Sequence, residues 1–267
     1  MAASASSSAD ASPLTAASAL AARARRSLRW RPEWRLVALI AAAWLALALL
    51  GTHGASDNGL ADAHAHHGAH AHDTNASSLD LASAIPLWAL MSLAMMAPAS
   101  LPAVRHVALN SVRRRRQRAM AEYAGAYLGV WTAFGLMALL GVELVRRTSG
   151  IDDGPLLALV LLAAAGWQLT RWKRRAIYAC RRTLSLPPHG LAADAGCLRF
   201  GAVQGARGVR SCWALMATMA VLGHASLAWM AALTALVLVE EQTLVGRRLL
   251  VPSAAALVLA AFLEPVV

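Results

Sequence analysis

Long apolar runs alternate along the chain with short polar or basic stretches. A helix rises about 1.5 Å per residue, so roughly 20 apolar residues cross the ~30 Å hydrocarbon layer of a bilayer. The first run covers Trp34–Leu50 and the second Leu87–Val104, where Pro98 and Pro102 are expected to introduce kinks. The third covers Ala121–Val145, and the turn Asp152-Asp153-Gly154-Pro155 separates it from a fourth at Leu156–Thr170. Residues 211–239 read either as one very long helix or as two meeting at Gly223-His224-Ala225-Ser226. Two helices, 209–223 and 226–241, keep Arg207 and Arg210 on the same side of a membrane as Arg247 and Arg248. A last run covers Leu249–Phe262. The pattern predicts an all-α, polytopic transmembrane helix bundle of about seven spans with a cytoplasmic N-terminus.

The expected organisation follows from these runs. A disordered basic tail occupies 1–33 and a first span 34–51, followed by a polar, His-rich loop at 52–85. A bundle of about six helices then fills 86–267, with basic loops at 105–120 and 171–208.

Composition supports a lipid-facing chain. It is 58% hydrophobic and only 15% charged, with a mean hydropathy of +0.50, and a soluble domain carries more charge. The formal net charge of +11 would suggest nucleic acid in a soluble protein, but no nucleic-acid-binding motif is present. In a membrane protein, excess Arg marks cytoplasmic loops and anionic headgroups. In the seven-span arrangement 23 of the 25 Lys and Arg residues fall inside; only Arg146 and Arg147 fall outside. The expected surroundings are therefore a bacterial inner membrane, with RWKRRAIYACRR (171–182) lying along anionic lipid. Trp88, Trp131, Trp167, Trp172 and Trp229 read as interfacial belt residues.

This topology turns the tract HAHHGAHAHD (64–73) outward. His64, His66, His67, His70 and His72 offer imidazole donors suited to copper, nickel or zinc. Their Ala/Gly backbone fixes no geometry, so the choice is between loose metal capture and a solvated spacer. Cys180, Cys197 and Cys212 fall on the cytoplasmic side, where thiols stay reduced. Softer donors lie in the apolar runs. Cys212, Met216 and Met219 are spaced i, i+4, i+7 and share one helical face, and so do Met91 and Met95. Two such faces turned toward each other would form a Cu(I) pocket; ordinary Met packing is the alternative. His224 would bridge the outer and inner zones. Glu143, Glu240, Glu241 and Glu122 lie near span ends, where they can snorkel or pair with Arg. No Walker loop, GxSxG or HExxH is present.

Several motifs carry a family resemblance: WALMSLAMMAPASLPA (88–103), YLGVW with Tyr127 and Trp131, WQLTRWK (167–173), ACR (179–181), SCWALM (211–216) and GHASLAWMAALTALVLVE (223–240). Together they resemble a bacterial family of metal-binding integral membrane proteins, domain of unknown function 2182. The resemblance covers about 85–245 and leaves the His tract outside. It implies a membrane helix bundle that binds metal. This chain departs from a family pattern richer in Cys and His. Ala176 stands where members carry a Cys, Gln204-Gly205 where they carry His-Gly, Gly208 and Ser211 where further cysteines occur, and Glu241 where a Lys is usual. Of those thiols, Cys180 and Cys212 are retained.

The leading functional reading is a non-enzymatic membrane protein that binds or passes on a transition metal, copper above all, with a metal-delivery partner. The alternative is a metal-independent permease or membrane assembly protein, using Glu143, Glu240 or Arg210. The sequence sets neither the oligomeric state nor the physiological partner.

Overall fold

The computed structural model of the protein describes residues 32–61, 76–187, 189–222, 227–243 and 246–263. Among these residues there are eight helices and no strand: α1 (Trp34–Ala61), α2 (Ala76–Asn110), α3 (Arg116–Ser149), α4 (Asp153–Leu169), α5 (Arg171–Cys180), α6 (Leu191–Leu222), α7 (Leu227–Gln242) and α8 (Gly246–Leu263). The all-α expectation agrees with this, and so does the choice of two helices across 211–239. Among the described residues, the number of candidate crossings is smaller than the seven expected. Among the described residues three stretches are long and apolar enough to cross a membrane, namely Trp34–Gly51, Ala82–Asn110 and Arg116–Ser149. Helices α4 and α5, bent by 74° at their junction, add a fourth if they are taken as one broken span. The later helices fall short for physical reasons. Helix α7 has 16 residues, a length of about 24 Å, and α6 carries Asp194, Arg199, Arg207 and Arg210.

Helical backbone also extends into stretches read as loops. Helix α1 continues to Ala61 and α2 begins at Ala76, so both flanks of the 52–85 segment are helical. The basic loop at 105–120 contracts to residues 111–115, and 171–208 holds α5 and the first half of α6. The His tract and His224 lie outside the described residues.

The most extensive pairing joins α3 to α6. The two helices run parallel, as three levels of contact show. At their N-terminal ends Arg115 Nε donates to Asp194 Oδ1 at 2.6 Å, and Arg118 Nη2 reaches Asp194 Oδ2 at 2.8 Å. Glu122 joins the network through Arg115 at 3.1 Å and Arg118 at 2.8 Å. Higher up, Gly201 lies against the backbone of Tyr123, and Gly205 and Gly208 lie against Val130 and Trp131. Glycines spaced by four and three residues fall on one helical face and let backbones approach closely. This Gly/Arg composition is why the segment read as a loop.

The Arg115 guanidinium, hydrogen-bonded to Asp194, holds that carboxyl below its ordinary range, and the nearby Arg118 acts in the same direction. A depressed folded-state value adds stability above the unfolded value of about 3.9, and the gain disappears as pH falls through the lower folded value. Asp194→Asn should therefore melt below the unaltered protein at pH 7, with the gap closing as the buffer is taken well below pH 4. A gap that stays constant over that range would remove the carboxylate from the account.

Helix α2 runs through Pro86, Pro98 and Pro102 without a break in its helical assignment. A proline has no N–H, so each releases the carbonyl four residues earlier. Pro98 frees the Ala94 carbonyl, which accepts from Trp44 Nε1 of α1 at 3.0 Å. Pro102 frees the Pro98 carbonyl, which Gln242 Nε2 of α7 reaches at 3.4 Å, along with Ala99 O at 3.2 Å. The prolines thus become docking points for two neighbouring helices.

Two expected belt tryptophans are core residues instead. Trp88 and Trp131 are buried, and Trp88 Nε1 donates to Trp131 O at 3.0 Å. The Trp88 ring fills the space that a side chain at Gly135 would need. Trp172 does stay exposed, with the Arg175 guanidinium 5.6 Å from its ring centroid.

Candidate functional site

The short helix α5 organises the site. Its N-cap is Thr170, whose hydroxyl accepts from Lys173 N at 3.1 Å. Lys173, Ala176 and Ile177 form its buried face. Cys180 is seven residues after Lys173, two helical turns on, so the ammonium and the thiol share that face. The outward side carries Arg174 and Arg175. Both ends of α5 are held. Arg181, just past its C-terminus, donates to the carbonyls of Glu241 at 2.9 Å and Thr243 at 2.6 Å, where α7 ends. From α6, Gln204 Nε2 donates to the Cys180 carbonyl, and Arg207 donates to Arg182 O at 2.9 Å.

Helix α7 presents the acids. Met230, Leu233, Thr234, Val237 and Glu240 form its buried stripe. Glu240 is therefore a core residue, not a snorkelling one. Its carboxylate meets Lys173 Nζ at 2.7 Å, with both side chains fully buried, and accepts from Gln168 Nε2 of α4 at 2.8 Å. One residue on, about 100° around the helix, Glu241 turns to α6. Ser211 Oγ donates to Glu241 Oε1 at 2.9 Å, and the Cys212 thiol lies 3.6 Å from the same oxygen. Cys180 and this carboxylate line one small cavity, and the Lys173 ammonium sits on the neighbouring Glu240. One carboxylate thus accepts from a hydroxyl, has one thiol at 3.6 Å and shares a cavity with a second.

The sequence-derived site residues separate into three groups. Cys212 is buried and central. Met91, Met95, Met216 and Met219 are buried in the same apolar core cluster as Cys212, but α2 and α6 are not a principal packed pair and share α3 and α7 as neighbours. Cys212 turns to Ser211 and Glu241. The third group, His64, His66, His67, His70, His72 and His224, lies outside the described residues. Lys173, Ser211 and Gln168 were not expected as site residues, and Glu240 was expected only as a carboxylate of the permease alternative. Their signal was present all the same, because WQLTRWK, ACR, SCWALM and the late Glu, the motifs that carry the family resemblance, meet in space here.

The donors here are soft: thiolates favour Cu(I) over hard ions, and Cys180 and Cys212 both flank the Glu241 carboxylate. Among the described residues, no three His, Cys, Asp or Glu side chains are already set around one ion-sized position, so small side-chain movements would have to close the site. The three cysteines are free thiols. Cys197 stands apart from the other two, near the Arg115 guanidinium at 3.9–4.0 Å. No curated protein and no solved structure matches the chain. A family model, PpoB2, described as a copper chaperone, matches residues 85–263, which include every residue of this cluster.

Proposed function

We propose that this chain, which belongs to the copper chaperone family PpoB2, takes up Cu(I) between the thiols of Cys180 and Cys212 and passes it on without catalysing a reaction. The observation that carries this reading is the Cys212 thiol on the Glu241 carboxylate, with Cys180 lining the same small cavity as that carboxylate. Copper uptake displaces the thiol protons, and the Glu241 carboxylate is the acceptor placed to take the one from Cys212. The buried Lys173 ammonium offsets part of the negative charge that two thiolates and a carboxylate bring together. Glu240 and Gln168 hold that ammonium in place. The remaining polar groups orient the donors, a role comparable to the outer-shell partners of other metal sites.

The bundle that holds this site is read as a membrane protein. Three apolar helices of crossing length and the strongly one-sided distribution of Arg support that reading. In it, the basic ends of α3 and α6 face the cytoplasm and the His tract faces outward, in the bacterial inner membrane. The outer imidazoles would then collect metal ahead of the thiol site.

Copper analysis of the purified protein under reducing conditions tests the site. The unaltered chain should retain Cu(I) against a competing chelator. Cys212→Ala and Cys180→Ala should each release it, and Glu241→Gln should weaken it by about 10–100-fold. Full copper retention in the Cys180→Ala/Cys212→Ala double variant would refute the thiol site. Met91→Leu/Met95→Leu separates the two sulphur faces: it should leave the copper in place.

A further inference from the structure

Helix α5 has a second face, which the thiol site does not use. Arg171, Arg174, Arg175 and Tyr178 are spaced i, i+3, i+4, i+7 and lie together opposite Lys173, Ala176 and Ile177. All four are exposed, and Trp172, on the flank of this face, is 56% exposed. None of the three arginines belongs to a salt bridge among the described residues. The Arg175 guanidinium stands 5.6 Å from the Trp172 ring centroid, which keeps a cation and an aromatic plane side by side on the outer surface. No Asp or Glu occurs between Asp153 and Asp194, so this stretch supplies no counter-charge of its own.

The helix before it is apolar on its exposed side. Leu159, Leu162 and Leu169 of α4 are 42–58% exposed and share one side of that helix. The 74° bend then swings α5 across the direction of α4. With α4 standing in the hydrocarbon, α5 lies near the membrane plane, at the depth of the headgroups. An apolar stripe, an exposed Trp and guanidiniums without an ion-pair partner follow one another in the order that a bilayer presents hydrocarbon, interface and headgroup.

We propose that the outer face of α5 is the docking surface of an anionic phospholipid, with the phosphate held by Arg171, Arg174 and Arg175 and the glycerol backbone against Trp172. The inference rests on the membrane reading above and not on the copper site. A guanidinium matches phosphate in fork geometry. Three of them repel a choline head, so lipids with a net negative charge are selected over zwitterionic ones. Nucleic acid would satisfy the arginines as well, but not the exposed leucines that lead to them. Lys173 and Cys180 belong to the same ten-residue helix. The lipid therefore holds from outside the helix that Arg181 and Gln204 hold from the protein side.

The test reconstitutes the purified full-length protein into phosphatidylcholine bilayers that contain a fixed share of brominated lipid, either phosphatidylglycerol or phosphatidylcholine. Bromine quenches a tryptophan on contact, and the difference between the unaltered protein and Trp172→Phe isolates Trp172 among the nine tryptophans. Both lipids should reach Trp172, with phosphatidylglycerol favoured by about fivefold or more. Arg171→Gln/Arg174→Gln/Arg175→Gln keeps good helix formers at exposed positions and should bring that preference to within about twofold of none. Arg113→Gln/Arg114→Gln/Arg199→Gln removes the same charge from other exposed positions and should leave the preference in place. No preference in the unaltered protein, or equal loss in the two triple variants, overturns the lipid seat. So does a preference abolished by inorganic phosphate in the buffer, which assigns the arginines to a free anion. Quenching of Trp172 by neither lipid takes α5 off the membrane surface and leaves a nucleic acid as its partner. Failure of the chain to insert into bilayers at all overturns the membrane reading, and the lipid seat with it.

Discussion

Lys173→Met should destabilise the protein by about 3–5 kcal/mol, measured by thermal or denaturant unfolding in detergent. Lys173 and Glu240 have no exposed side-chain surface and meet at 2.7 Å. Taking two charges out of water is expensive, and their attraction compensates only while both are present. Removing the ammonium strands a carboxylate in the core, with the Gln168 amide as its remaining named partner. The double variant Lys173→Met/Glu240→Gln separates this from a packing defect. It removes both charges, keeps an acceptor for Gln168, and should recover most of the loss, because uncharged replacements of a buried pair are often neutral or stabilising. A Lys173→Met deficit below about 1 kcal/mol would mean that the pair is solvated, contrary to its burial.

Gly201→Ala should cost about 1–3 kcal/mol through overpacking, and Gly201→Leu considerably more. A Cβ at this position would lie 2.3 Å from Tyr123 O and 3.0 Å from the Ala126 Cβ. The obstacle is backbone, which cannot rotate away as a side chain can, so α3 and α6 must separate along their length. Gly129, on the same α3, is the internal control. Nothing lies within 4 Å of a Cβ built there, and alanine is the better helix former by up to about 1 kcal/mol. Gly129→Ala should therefore hold or raise the melting temperature while Gly201→Ala lowers it. Equal effects at the two positions would contradict the close approach of the helices.

The parts of this molecule that could be read from sequence are those governed by local pattern. The apolar runs from Trp34, Leu87 and Ala121 mark helices because apolar runs of that length exceed a strand. The segment 171–208 could not be read this way. Its glycines and arginines look like a loop until α3 lies beside them, and that contact spans more than 70 residues of chain. The site divides along the same line. Cys212 was legible from its soft donor and its helical spacing. Its neighbours were not, because Ser211, Glu241 and Cys180 meet only through the bend at Thr170 and the clamp of Arg181 on α7. Two positions where the resemblance led one to expect a His and a Cys, Gln204 and Ser211, are at the site with different chemistry.

The parallel pairing of α3 and α6 also has a cost in time. Arg115 and Asp194 are separated by 79 positions, and at ribosomal rates of about 5–20 residues per second the second helix emerges some 4–16 s after the first. During that interval the surface of α3 that will receive the glycines has no protein against it. Newly made chains must therefore keep α3 from pairing with another copy before α6 is made, and crowded or slowed synthesis should raise the share of misassembled protein.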